Sequence, residues 1–317
     1  IADDATFLRR VTIDLTGRLP STDTVQTFLA DSDSEKRGKT ADTLLASEEF
    51  NEYWTLQLAK LLRIGSKRDA LEGARVYHDW LYQQLSDGVG YDQIARSVIT
   101  SSGDTHENGP ANFYRTVNGP RKQAEFMSEL FMGSRLRCAN CHNHPLDKWT
   151  QDDYHGLAAI FAKIEGGREI RAKKTGAVIH PKTGENATAR IPGEDFLAEN
   201  VDDGREALAN WLTAEENPYF AKAIVNRLWK AMMGRGLVEP ADDFRDTNPA
   251  THPDLLNQLA DDFVDHGYDL RHTLRLIANS ATYMRSANAT SINEADDRFY
   301  SHARRRPLDP EVLADAI

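Results

Sequence analysis

The sequence predicts a mainly α fold, an irregular multi-helix architecture with a small β-hairpin insertion between two helical halves. Three observations carry that reading. Apolar residues recur at helical spacing through most of the chain, as in Phe7, Leu8, Val11 and Leu15, or in Phe220, Ile224, Val225, Leu228 and Trp229. Glycine and proline stand where those stripes stop, at Gly17 and Pro20, Asp87-Gly88 and Gly234. One tract, 166–199, changes character to short alternating runs broken by Gly166-Gly167 and Pro181-Lys182-Thr183-Gly184, which is the pattern of small hairpins.

Taken in order, the first helix begins near Ala5 and ends at Gly17, and Ser21-Thr22-Asp23 offers caps for a second one carrying Val25, Phe28 and Leu29. Segments 36–45 and 48–62 keep the same spacing. The latter contains Phe50, Tyr53, Trp54, Leu58, Leu61 and Leu62, an apolar stripe that reads as ordinary core. Helices are expected over 77–85 and 91–100. Between Ser101 and Pro120 the turn-forming residues accumulate and predict a long irregular connection. The helical period resumes from Arg121 through Phe131, and Gly133 ends it ahead of the cysteines. Another helix is expected over 154–164. In the second half, helices are expected over 205–212, from Asn217-Pro218, over 253–266 and 270–280, and from Pro310 onward. This organisation divides the chain into 1–165, a connection over 166–204, and 205–317. The acidic run Asp242-Asp243-Phe244-Arg245-Asp246 lacks the ligand spacing of a calcium loop and reads as a capped turn paired with Arg245. Arg304-Arg305-Arg306 is expected to clamp carboxylates in the core.

A chain of 317 residues can bury a large core without disulfide staples, so its two cysteines point to chemistry. The formal net charge of -11 opposes general binding to nucleic acid or to an anionic membrane surface. No apolar run has the length of a transmembrane helix. The opening residues do not form a signal peptide and the last helix stops without a cap, so the chain reads as a processed or truncated piece.

Both cysteines lie in Cys138-Ala139-Asn140-Cys141-His142-Asn143-His144-Pro145. C-x-x-C-H is the spacing of a c-type haem attachment: two thiols on one side of a turn form thioethers, and the next histidine reaches the iron. Alternatives stand beside it. Cys138, Cys141, His142 and His144 could bind zinc, although such bunched ligands usually need a second pair. A redox disulfide usually follows a strand in a βαβ unit, and none is read before Cys138. A structural disulfide or two buried thiols is the plainest reading. No phosphate loop, nucleophile elbow or H-E-x-x-H run is present.

The run 138–147, with Trp149 to Tyr154 and Gly156 to Phe161 after it, resembles the planctomycete cytochrome-like family of exported proteins, as does the opening from Arg9 to Pro20. Asn217 to Ala221, Val225 to Trp229, Gly234 to Val238, Asp242 to Phe244 and His252-Pro253 resemble the surface-associated domain that follows it. The resemblance implies export to the periplasm or cell surface, where one haem c can be attached covalently. The expected protein is then an electron carrier with His142 as proximal iron ligand, redox proteins or other cytochromes as partners, and a homo-oligomer or surface assembly as a further expectation. Candidates for the opposite iron face are Met127, Met132, His106, His155 and His180, with His144 closer to a supporting contact. A haem enzyme with an open iron site and a structural cell-surface protein are the competing functions.

Overall fold

A computed structural model describes residues 1–65, 71–198, 201 and 203–315. The first part of the chain forms α1 (Asp4–Thr16), α2 (Thr22–Ala30), α3 (Lys36–Leu45), α4 (Glu48–Leu61), α5 (Leu71–Ser86) and α6 (Tyr91–Thr100). The strand β1 (Gly103–Asp104) and a short α7 (Phe113–Thr116) come next. α8 (Pro120–Met127) and α9 (Gln151–Ala162) flank the cysteines, followed by β2 (Ile164–Glu165) and β3 (Glu169–Ala172). α10 (Gly204–Leu212), α11 (Phe220–Met233), α12 (Pro253–Asp265), α13 (Leu270–Ala278) and α14 (Pro310–Asp315) complete it. The fold is mainly α with one small antiparallel sheet among the described residues, as the helical spacing predicts.

Local chemistry explains the boundaries. Asp3 caps α1 by accepting from the Thr6 amide, and Gly17 closes it in the left-handed conformation at φ 66°, where a Cβ would strike the Tyr53 ring. Ser21 caps α2 through the Thr24 amide. Asn217 Oδ1 accepts the amides of Tyr219 and Phe220, so α11 starts after the Asn-Pro pair.

Two expectations are corrected. The helix expected over 77–85 begins earlier, at Leu71, where the buried Gly73 packs tightly against Asn112. The segment 101–120 is ordered: it contains β1, a 3₁₀ turn and α7, with Asn112 Nδ2 donating to the Thr105 and Gly109 carbonyls. The small β insertion is present as expected, its central strand β3 pairing with β2 on one side and with β1 on the other. Alternation over 177–179 yields a single bridge, Ile179 to Asn186. Glu199, Asn200 and Asp202 of the connection, and Ala316 and Ile317 of the helix expected from Pro310 onward, lie outside the described residues.

The chain divides into two units. The first combines 1–57, 225–237 and 250–317; the second combines 58–224 and 238–249. In the first, α1 packs on α2 and α3, and α13 packs on α3 and α12. Arg37 lies over the Phe7 ring, Arg275 pairs with Asp42, and the Ala2 amide donates to Met284 O at 2.8 Å. In the second, α8 packs lengthwise on α9, and Tyr91, Phe113, Phe126, Phe131 and Phe220 stack with centroids 5.3 to 6.5 Å apart.

Candidate functional site

The cysteine segment lies in the second unit, between α8 and α9. After α8 the chain makes a π-helical turn over Ser128–Met132, and Gly133 reverses it at φ 62°. A side chain at 133 would meet the Phe244 ring at 2.6 Å, so glycine is required twice, by conformation and by space. The Phe244 amide donates to Gly133 O at 2.9 Å, and Arg135 grips Asp242 with two bonds of 2.7 and 3.1 Å. These contacts from 238–249 fix the approach to the cysteines.

A 3₁₀ helix, Leu136–Asn140, follows, with Leu136 and Ala139 buried. Cys138 lies within this helix and Cys141, three residues on, caps its end. Both thiols are free and exposed. The disulfide reading is therefore corrected for this conformation. The buried thiol pair is corrected too, because the inward positions of the turn are occupied by Leu136 and Ala139.

His142 is exposed, and its Nδ1 lies 2.7 Å from Asn143 O. A carbonyl only accepts, so Nδ1 carries the proton and Nε2 keeps its lone pair for a metal. His144 has the opposite arrangement. Its Nδ1 accepts the Leu146 amide at 3.2 Å, and its own amide donates to Trp149 O at 2.8 Å, so it pins the loop. The two histidines of the run thus hold different tautomers.

The loop closes on the start of α9. Thr150 and Asp153 form a reciprocal cap, with the Asp153 amide donating to Thr150 Oγ1 and the Thr150 amide to Asp153 Oδ2. Asn143 Oδ1 accepts the Gln151 amide at 3.1 Å. Asn140 O accepts from Gln151 Nε2 at 3.3 Å and from His155 Nε2 at 2.9 Å. Asn140, Asn143 and Asp153 therefore shape the turn, although none stood out in the sequence. The cue was local: asparagines inside the motif, and Thr150 three residues before an acid.

His155 is completely buried, and burial lowers its pKa, with the Asn140 carbonyl pulling upward. The His180 ring stands edge-on to it at 5.0 Å. His180 Nδ1 accepts the Lys182 amide at 3.3 Å, and Nε2 lies 3.1 Å from Asp152 Oδ1, too poorly aligned to make a hydrogen bond. Of the five opposite-face candidates, the structure brings His155 and His180 to the inner side of the cysteine turn. Met127 and Met132 are completely buried at the ends of α8 and of the π turn. His106 is half-buried in the turn after β1, its amide donating to Asp104.

Around the loop, Lys148 lies over the Trp149 and Tyr219 rings at 5.1 and 5.2 Å, and Thr247 Oγ1 donates to Leu146 O at 3.3 Å. Burial raises the Asp147 carboxyl. Arg306, by contrast, pairs with the buried carboxylate Asp14 in the first unit, the carboxylate-clamping role expected of it. Arg245 pairs with Asp243 at 3.0 Å, as the capped-turn reading expects. No described helix is long and apolar enough to cross a membrane.

No curated protein and no solved structure matches the chain significantly. The family model PSD1, "Protein of unknown function (DUF1553)", matches residues 204–317. The model PSCyt2, "Protein of unknown function (DUF1549)", matches residues 1–166, and since that is more than half of the chain, the protein belongs to the PSCyt2 family.

Proposed function

We propose that the protein is a c-type cytochrome-like electron carrier of the cell envelope, holding one covalent haem c through Cys138 and Cys141 with His142 as the proximal iron ligand. One observation carries the reading: two exposed free thiols stand at the end of one 3₁₀ helix, Cys138 within it and Cys141 capping it, and the histidine that follows keeps Nε2 available because Nδ1 is committed to Asn143 O. The residues fit the group. Thioether formation needs thiols that a vinyl group can reach, and a ligating histidine usually donates its other nitrogen to a carbonyl. When bound, haem supplies a one-electron couple. The chain's part is positional. Arg135 and Gly133 set the entry of the turn, His155 and Gln151 hold Asn140, and His144 closes the loop. Periplasm or cell surface is the location in this reading, with redox proteins or other cytochromes as partners.

A second reading rests on the opposite-face candidates. Met127 and Met132 are fully buried, and His155 already donates to Asn140 O. An iron lacking a second protein ligand would be open to a small molecule, which favours the enzyme.

The test is the mass of the intact chain after export in a host that matures c-type cytochromes. The native chain should gain one haem that survives acid-acetone extraction, and the Cys138→Ala, Cys141→Ala double variant should gain none. An unmodified native chain, or a double variant that keeps its haem covalently, rejects the proposal. Spectra with added cyanide separate carrier from enzyme, because only an open iron responds.

A further inference from the structure

The connection between α12 and α13 brings together Asp262, His266 and His272, spaced Asp-x3-His-x5-His. Asp262 and His266 are four residues apart at the end of α12, so they share one helix face. The turn is rigid. Gly267 and Tyr268 both adopt the left-handed conformation, at φ 65° and 59°, and the Tyr268 amide donates to Phe263 O at 2.8 Å. Asp269 then caps α13 through the amides of Arg271 and His272, which places His272 beside the other two.

One ligand atom from each residue lies within 4.8 Å of the others. His272 Nε2 is 2.8 Å from Asp262 Oδ2, and His266 Nδ1 donates to Asp262 O at 2.8 Å and lies 3.4 Å from Asp262 Oδ1, which leaves His266 Nε2 with its lone pair for an ion. The two imidazoles stack face to face, centroids 3.7 Å apart and planes 12° from parallel. Aromatic pairs ordinarily sit at about 4.5–7 Å and avoid direct overlap, so the rings alone give little reason for this approach. The last turn of α12 carries no basic residue, while Asp261, Asp262 and Asp265 add negative charge at its carbonyl end. A cation is favoured there by the helix dipole and by those carboxylates.

We infer that Asp262, His266 and His272 form a binding site for a divalent transition-metal ion of the zinc type, with two imidazole nitrogens and one carboxylate oxygen as ligands. The donor set is the one such ions take, and three protein ligands leave a fourth position for water or a partner's side chain. The side chains are half-exposed, so an ion can enter directly.

Zinc chloride titrated against a chromophoric chelator, using the full chain, tests the site. The native chain should take up one zinc, and His266→Gln and His272→Ala should each weaken that binding by at least about tenfold. The Cys138→Ala, Cys141→Ala variant should bind it as the native chain does. Equal affinity in the native chain and both histidine variants overturns the assignment, as does loss confined to the cysteine variant or no binding at all. His266 is half-exposed and outside the core, so the glutamine variant leaves the core intact, and a circular dichroism spectrum confirms that it is folded.

Discussion

Asp14 lies buried on α1, where the Tyr283 hydroxyl donates to it at 2.7 Å and Arg306 pairs with it. Burial pushes its carboxyl up to about 6, against the opposing pull of Arg306, Tyr283 and Arg10. The folded protein therefore holds this proton more tightly than the unfolded chain, whose carboxyl titrates near about 3.9. The stabilisation is complete below that value and is lost as the pH rises to about 6, a change of about 3 kcal/mol at most. Denaturant melts of the native chain and of Asp14→Asn should show the native advantage shrinking between about pH 4 and pH 6; a difference that does not vary with pH contradicts this assignment. Single residues of the cysteine turn were legible because C-x-x-C-H is a fixed spacing. The unequal roles of His142 and His144 were not, since each tautomer depends on a backbone atom that only the folded loop supplies. Asp262, His266 and His272 were also missed: two half-exposed histidines ten and four residues from an acid carry no signal until a tight turn folds them together.

Among the elements, α10 is tied to the end of α6 by one buried guanidinium. Arg205, 2% exposed, bonds Asp203 through Nε and Nη2, Ser101 O at 2.7 Å and Ser102 Oγ at 3.0 Å, and lies over the Tyr114 ring. Removing its counter-charge leaves a cation in the interior, so Asp203→Ala should cost about 3–5 kcal/mol in urea unfolding. A loss below about 1 kcal/mol would mean that the two serine contacts suffice. Helix positions were readable because periodicity and caps are local: α3 and α6 fall where the spacing places them, and Gly17 and Gly133 stop their helices in the left-handed conformation. What escaped was set by distant partners. β1 exists only because β3 arrives to pair with it, and Leu71 to Val76 turn helical against the 3₁₀ turn around Asn112.

For the whole molecule, the family matches and the compact units cut the chain differently. The first family model ends at 166 and the second begins at 204, whereas the first unit draws on 1–57 together with 225–237 and 250–317. A fragment of residues 1–166 would leave Phe7 without Tyr283 and α3 without α13. It should be expanded and should bind a hydrophobic dye. Co-expression of 1–203 with 204–317 should restore a folded complex, seen as a single species by size-exclusion chromatography. A soluble, cooperatively melting 1–166 would refute the interdependence.

The bonds that join the two ends of the chain also set an order of events in time. Arg10 donates to Tyr283 O across 273 positions, and Asp14 meets Arg306 across 292. Contacts of such sequence separation form late, because the intervening chain must first be closed into a loop. As the polypeptide is made, α1 to α3 can pack on one another but lack Tyr283, α13 and Arg306 until those have been added. The stretch from 58 to 224, including Cys138 and Cys141, can condense meanwhile. The segment that carries both thiols can therefore be folded before Arg10 and Asp14 meet their partners.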